Sequence, residues 1–307
     1  MSTTMTAPTC TSFTIRPRGP FSLEEAAMFG FGQRHDDRFD GTMRLAFCGD
    51  GHAGQAGVAL TQDDDETIRG TITGTAGRIT HDAIVGQVAR VLSLDHDAEA
   101  YVAIGDLDPV VARLLAVAPG LRPPLFYSPY EAAFWSVLSA RRSYATANAW
   151  RRRLSAHAGA TFAVAGQDLH AVPTPAALLE LGVDGCASAG GFEPARAERV
   201  IGVADAAARG LLDVDVLQAM DLDDARRQLK TIKGIGPFYA DLILIRATGL
   251  TDVLTNDEPH VMAMAGELYG DGEPLTQAEL ATIAEPWRPF RTWVTVLLRA
   301  AGPRLRR

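Results

Sequence analysis

The stretch from Asp223 to Gly249, DDARRQLKTIKGIGPFYADLILIRATG, decides the fold. It reads as two helices joined by a sharp reversal. Asp223 is placed to cap the first helix, which is expected to end at Ile232. Gly234 and Gly236 admit positive φ and so permit a tight turn. Pro237 suits the first position of the second helix, where its missing N–H costs nothing. Phe238, Leu242 and Ile245 form an apolar stripe at helical spacing, and Gly249 closes the helix. The amides of Gly234, Ile235 and Gly236 meet a helix N-terminus with no bulky side chain over the two glycines, an arrangement suited to a phosphate oxygen. Lys230 and Lys233 flank it. A plain helical hairpin turning on glycines is the simpler alternative.

Outward from the hairpin, the chain divides in two. From about Asp106 to the end, strand signals vanish and short helical patterns follow one another between Gly, Pro and Asp connections. One of them runs without interruption from Tyr130 to Ala156. Before Asp106 the pattern differs. Phe13-Thr14-Ile15, Leu45-Ala46-Phe47, Val58-Ala59-Leu60 and the two-residue spacing of Ile68, Gly70, Ile72 and Gly74 are strand signals. Ser22 and Thr80 open two helices among them. The expected class is α+β: a mobile arm over residues 1–12, an antiparallel sheet unit over 13–105, and an all-α unit over 106–307.

With 307 residues, 47% of them hydrophobic and 21% charged, the chain is ordinary for a globular protein of two units. No apolar run is long enough to cross a membrane. The first residues lack a basic segment followed by an apolar one, so no secretory leader is expected, and a cytoplasmic location is. Cys10, Cys48 and Cys186 are three cysteines far apart. They build neither a disulfide framework nor a four-cysteine iron–sulfur cluster. The seven histidines show no HExxH pattern, which leaves zinc hydrolysis unsupported. Gly49-Asp50-Gly51-His52-Ala53-Gly54 matches a dinucleotide fingerprint literally but lacks a βαβ context and reads as a β-turn. Trp135 and Trp293 read as core, and Arg151-Arg152-Arg153 as a solvated helix face. The net charge of −8 argues against a nucleic-acid partner, yet residues 1–100 carry most of it, 8 Lys/Arg against 14 Asp/Glu. The remainder, with the hairpin, is nearly balanced.

The hairpin resembles the helix-hairpin-helix of the base-excision DNA glycosylases (the HhH-GPD superfamily), and is most similar to the bacterial 3-methyladenine glycosylase II branch. The likeness extends over nearly the whole chain. Arg18-Gly19-Pro20-Phe21 and the run from Phe39 to Phe47 resemble that branch's sheet domain, which is like the TATA-binding protein. Ser128-Pro129-Tyr130-Glu131-Ala132 resembles the first helix of the catalytic domain, and the run from Trp287 to Trp293 its C-terminal helix.

That resemblance implies a monomeric enzyme that binds double-stranded DNA, flips a damaged, alkylated base into a pocket and hydrolyses its N-glycosidic bond with the help of a carboxylate. In Asn256-Asp257-Glu258-Pro259-His260-Val261, Glu258 falls where the branch has its catalytic Asp, and Asp257 is the acidic neighbour. Either carboxylate is a candidate. The alternatives are a helix cap without chemistry and a DNA-binding or damage-sensing protein that kept only the hairpin. Phe238 stands where bifunctional members carry a Schiff-base Lys, which implies base removal without strand cleavage. Phe238, Leu242 and Arg299 map to the base pocket, Arg299 replacing an aromatic in a way that disfavours a cationic base. Arg141 maps to the wedge residue or is a solvated helix end. The family also holds a monovalent cation through carbonyls that here would be those of Lys230, Ile232 and Ile235. No other cofactor is implied.

Overall fold

A computed structural model describes residues 11–29, 38–64, 66–254 and 258–306. Asp257 and most of the N-terminal arm lie outside them.

Four antiparallel strands form the sheet, in the order β1 (Thr11–Ile15), β4 (Ile68–Gly77), β3 (Gly54–Gln62), β2 (Met43–Cys48). Helix α1 (Leu23–Met28) precedes β2, with the Ser22 hydroxyl accepting the Glu25 amide at 3.1 Å. Helix α2 (His81–Val91) starts on Thr80 and packs Ile84, Val88 and Val91 against Leu45, Phe47, Val58, Leu60 and Ile68. The expected Gly49–Gly54 turn is present, closed by the Gly49 amide on the Gly54 carbonyl at 2.9 Å.

The alternating glycines of β4 have separate causes. Gly70 lies under the Phe13 ring, where an added Cβ would come within 2.0 Å of it. The register then shifts at Gly57/Val58, so that Gly57 pairs with Gly74. An extra residue in one strand inverts its inside–outside parity. Gly57 and Gly74 therefore face the other side of the sheet, and both lie against Phe162.

Phe162 belongs to a feature absent from the sequence expectation. The region read as all-α contains a hairpin, β5 (Thr161–Val164) and β6 (Gln167–His170). It covers the outer face of the sheet through Phe162, Val164 and Leu169. Its strands are four residues each, too short to show a period against the helical background.

The helices form two apolar clusters. Short helices α3 (Glu99–Val102) and α4 (Ile104–Leu107) lead into α5 (Pro109–Val117), whose Asp108 cap accepts the Val110 and Val111 amides. Helices α6 (Pro129–Ser139), α7 (Tyr144–Ala158), α8 (Pro175–Gly190), α9 (Pro194–Ala208), α10 (Val214–Ala219), α11 (Leu222–Lys230) and α12 (Pro237–Ala247) follow. They build one cluster around Phe134, Val137, Leu154, Val200, Leu229, Ile243 and Leu244. Helices α13 (Pro259–Tyr269), α14 (Gln277–Ile283) and α15 (Arg291–Ala301) build the second. In it Trp287, Trp293 and Leu297 pack on Tyr101, Val111 and Leu114. Residues 98–104 thus pack with the C-terminal helices rather than with the sheet. Trp293 is core, as expected.

Buried arginines tie the parts together. Arg122, fully buried, donates to the carbonyls of Arg18, Gly19, Pro20, Ser93 and His96. Arg90 reaches from α2 to the Asp50 carboxylate at 2.8 Å and to the Ala247 carbonyl at 2.6 Å. Among the described residues no helix is long and apolar enough to cross a membrane.

Candidate active site and nucleic-acid interface

The hairpin forms close to the expected place. Helix α11 is capped by Asp221 rather than Asp223, its carboxylate accepting the Asp223 amide at 2.9 Å, and it ends at Lys230 rather than Ile232. Gly234 sits at φ +102°, a region L side chains rarely adopt. Gly236 is extended and caps α12, with Pro237 in its first turn. The expected stripe is corrected. Ala240, Ile243, Leu244 and Ala247 carry α12 into the core and Ile245 is buried as expected, while Phe238 is exposed and Leu242 half-buried. Ile232 and Ile235 are buried in the same cluster, and the Ile235 amide donates to the Ile232 carbonyl at 3.0 Å. Ile235 therefore offers a ligand neither its side chain nor a free amide, and Gly234 and Gly236 form the open part of the turn.

The Tyr130–Ala156 pattern is not one helix. It breaks at Ala140, and Arg141 occupies the break with φ +57°. The reason lies in Arg196. Its guanidinium, 4% exposed, donates to the carbonyls of Val137 at 2.6 Å and Leu138 at 2.9 Å, and lies 5.0 Å over the Trp150 ring. A buried cation on the last carbonyls of α6 ends that helix and complements its dipole. The break brings Arg141 and Arg142 to one groove with Arg199, Lys233, Gly234 and Gly236. Of the expected DNA-binding residues, Arg141, Lys233, Gly234 and Gly236 are thus together. Lys230 is exposed on the last turn of α11 and does not line the groove. Lys233 pairs with Glu198 at 3.0 Å across solvent.

A second concavity, about 340 Å³, lies between the sheet and the helices. Its volume is within the usual range for small-ligand sites, about 300–1,000 Å³. Strand β2, the connection Pro124–Tyr127 and helices α6, α7 and α15 all contribute to its walls. Phe126, Tyr127, Trp135 and Tyr144 supply aromatic surface, the last two with ring centroids 5.5 Å apart. Glu131 lies on the wall, 5% exposed, and accepts the Cys48 amide at 2.9 Å. Burial pushes its carboxyl up to about 8, against the smaller opposing effects of the Cys48 amide and Arg151. Arg44 and Asp40 pair bidentately at 3.0 and 2.7 Å, and that hydrogen bonding holds the Asp40 carboxyl down at about 2.

Arg299 also lines the cavity and links it to Glu258. Glu258 is the cap of α13. One carboxylate oxygen accepts the Val261 amide at 2.6 Å, and the other lies 4.0 Å from an Arg299 nitrogen. Two expected site residues, one from a loop and one from α15, are thereby neighbours. Phe238 and Leu242 do not line this cavity.

Several residues of these sites escaped the sequence reading. Glu131 is a first-turn acid after the Ser128 cap, which is reason enough for its place in the sequence. Arg196 lies in an Arg- and Glu-bearing helix, α9, where nothing local marks it as buried. Trp135 is half-buried on the cavity wall rather than core, and Arg151 turns onto that wall while Arg152 and Arg153 stay in solvent. The odd position in each group was the only signal, and it shows only once the partner element is in place.

No family model matches the chain. It is 28% identical over 310 residues to a protein of Mycobacterium tuberculosis named probable bifunctional transcriptional activator/DNA repair enzyme AlkA, an alignment of 92% of this chain and 55% of that one. The chain thus spans about half the length of that relative. It is 24% identical to the DNA-3-methyladenine glycosylase of Bacillus subtilis, over 70% of this chain and 71% of the relative. The structure superposes on 3-methyladenine DNA-glycosylase from Archaeoglobus fulgidus with a TM-score of 0.75 and 22% identity, covering 95% and 98% of the two chains. It also matches the 8-oxoguanine glycosylase/lyase of Clostridium acetobutylicum in complex with double-stranded DNA, with a TM-score of 0.60 and 16% identity, over 82% and 85%. The chain is related in sequence to proteins named AlkA and DNA-3-methyladenine glycosylase, and it shares the fold of the helix-hairpin-helix DNA glycosylases.

Proposed function

We propose that the chain is a DNA glycosylase of base excision repair that binds duplex DNA as a monomer, flips a damaged base and hydrolyses its N-glycosidic bond. The observation that carries this reading is Glu258: a carboxylate held at a helix N-terminus, against an arginine on the wall of a ligand-sized cavity. In this reading the Gly234–Gly236 turn and Arg141, Arg142 and Arg199 grip phosphates of the damaged strand. Arg141, held in a left-handed conformation where α6 stops, fills the gap left by the flipped base. The sheet unit, read as like the TATA-binding protein, closes the cavity from the other side.

The chemistry needs one carboxylate. As the C1′–N bond breaks, its electron pair leaves with the base, and the sugar develops oxocarbenium character that the Glu258 carboxylate stabilises. Water bonds to C1′ and gives up a proton, for which Glu258 is the acceptor, while the departing nitrogen gains one. Phe238 has no amine for a Schiff base, so the proposed reaction stops at the abasic site. Asp257 remains the second candidate for the acid. The proposed monovalent cation would sit on the carbonyls of Lys230, Ile232 and Ile235. The Ile232 carbonyl already accepts the Ile235 amide, so only its second lone pair would serve.

Incubation with methylated duplex DNA, followed by quantitation of free bases, tests excision. No release above background, with duplex binding retained, sinks the enzyme reading. A second reading, a damage sensor without chemistry, is favoured by one observation: the Glu258 carboxylate is engaged as a cap and faces a cation on its other side. Glu258→Gln and Asp257→Asn decide between the acids, and if both leave release unchanged neither is the catalytic group.

A further inference from the structure

The walls of the cavity carry an uneven set of charges. Among the described residues that line it are four arginines, Arg38, Arg44, Arg151 and Arg299, and two acids, Asp40 and Glu131. Arg44 and Asp40 neutralise one another through their bidentate pair. Glu131, with its carboxyl pushed up to about 8 by burial, is uncharged at neutral pH. Arg38, Arg151 and Arg299 remain. Behind the wall Arg246, 5% exposed, donates to the Pro124 carbonyl and lies 4.7 Å over the Phe29 ring. Burial, together with the nearby Arg299, pushes the Arg246 guanidinium down to about 9, so it still adds positive charge at neutral pH. Glu258 offsets Arg299 only across 4.0 Å and while capping its own helix.

A base alkylated on a ring nitrogen that bore no hydrogen, such as N3 of adenine or N7 of guanine, carries a formal positive charge while still joined to its sugar. Such a base fits aromatic walls well but meets repulsion from several fixed cations, which a partly desolvated site strengthens. An uncharged base with a carbonyl on its edge meets the reverse. Guanidinium N–H groups donate to the carbonyl, the protonated Glu131 donates or accepts, and Trp135, Phe126 and Tyr127 give apolar contact. We propose that this cavity is a binding site for uncharged, carbonyl-bearing nucleobases, and that the damaged base removed is of this class rather than a cationic N-alkylated one. The second half rests on the glycosylase reading; the first half does not.

Titration calorimetry of the full chain at neutral pH, without DNA, separates them. The probes are inosine, uncharged, and 1-methyladenosine, a cation of nearly the same size. Inosine should bind about tenfold or more tightly than 1-methyladenosine, given unlike charge–charge terms at contact range. Arg151→Gln and Arg299→Gln, each removing one wall charge, should narrow that ratio by about threefold. Arg152→Gln, which removes a charge that stays in solvent on the same helix as Arg151, should leave it unchanged. Equal binding of the two nucleosides, tighter binding of 1-methyladenosine, or binding of neither overturns the cavity assignment. Duplexes carrying a single hypoxanthine or a single 7-methylguanine then test the second half, with faster release of hypoxanthine expected. Preference for inosine with no release from either duplex keeps the cavity assignment and removes the excision reading. Faster release of 7-methylguanine overturns the substrate class.

Discussion

The backbone part of the hairpin groove comes from one stretch of chain: Gly234 and Gly236 shape the turn, and Pro237 starts the helix behind it. The cavity takes its walls from β2, β6, the Pro124–Tyr127 connection and five helices, with Arg299 more than 250 positions beyond Met43. A surface made of backbone amides needs a special φ at one residue, Gly234, so it tolerates change around it. A surface made of converging side chains depends on every element that delivers one. The groove should therefore fail locally when altered, and the cavity through its packing and charge.

The largest effect expected is on chemistry alone. Glu258→Gln keeps a carbonyl oxygen for the Val261 amide and so should preserve the start of α13. Base release should fall by about a thousandfold, the scale of losing a charged group aimed at the transition state. Duplex affinity should stay within about twofold, since the groove is untouched. Unchanged release rates would break the division between a site that binds and a site that reacts.

Next comes a pH effect confined to the cavity. The Glu131 carboxyl is raised in the fold from an ordinary 4.5 to about 8. The folded state therefore holds a proton that the unfolded chain has released. The stability this confers is complete below about 4.5 and is lost as pH rises through about 8. Relative to Glu131→Gln, the wild-type chain should lose roughly 4 kcal/mol between about pH 5 and pH 9. Urea unfolding of both proteins at several pH values measures the difference. Parallel curves would show that Glu131 is ionised in the fold.

Gly234→Ala strikes the groove. The added Cβ would come within 3.3 Å of Val137 and 3.2 Å of Arg199, at a φ of +102°. The cost should be about 1–3 kcal/mol, and duplex affinity should drop by about tenfold if half of it appears in binding. Inosine binding in the cavity should not change. A matching loss there would mean that the two regions are one cooperative unit.

The smallest effect belongs to Glu198→Gln, which releases Lys233 from an exposed pair at 3.0 Å. Such pairs contribute about 0–1 kcal/mol. Duplex affinity should rise by about twofold at low salt, with a steeper salt dependence. No change in the salt slope would place Lys233 away from the phosphates.

The same contrast explains what was legible in the amino-acid order. Helix starts marked by Ser22, Thr80 and Pro237 were readable because a cap acts on the residues next to it. The groove's turn was readable for the same reason. The end of α6 was not, because it is imposed by Arg196, a residue 56 positions away that bonds the Ala140 carbonyl region. The β5–β6 hairpin was missed because its packing on the face of the sheet, not its own composition, favours strand. Glu258 and Arg299 were both picked out, but their proximity was not visible in a loop and a helix 41 positions apart. Phe238 and Leu242 matched a stripe that the core does not use, since α12 buries Ala240, Ile243, Leu244 and Ala247 instead.

The ring of Phe162 has a consequence for how the chain assembles. It closes over Gly57 and Gly74 on the outer face of the sheet, beside a hydrogen bond from the Ala160 amide to Gln55 that joins residues 105 positions apart. Until that hairpin has been made, the first four strands have a helix on one side and bare glycine and alanine backbone on the other. During synthesis the sheet must wait for it, at about 5–20 residues per second, with one face open to solvent. The glycines that give Phe162 its seat also leave that waiting face with little apolar surface, and so with little to attract another unfinished chain.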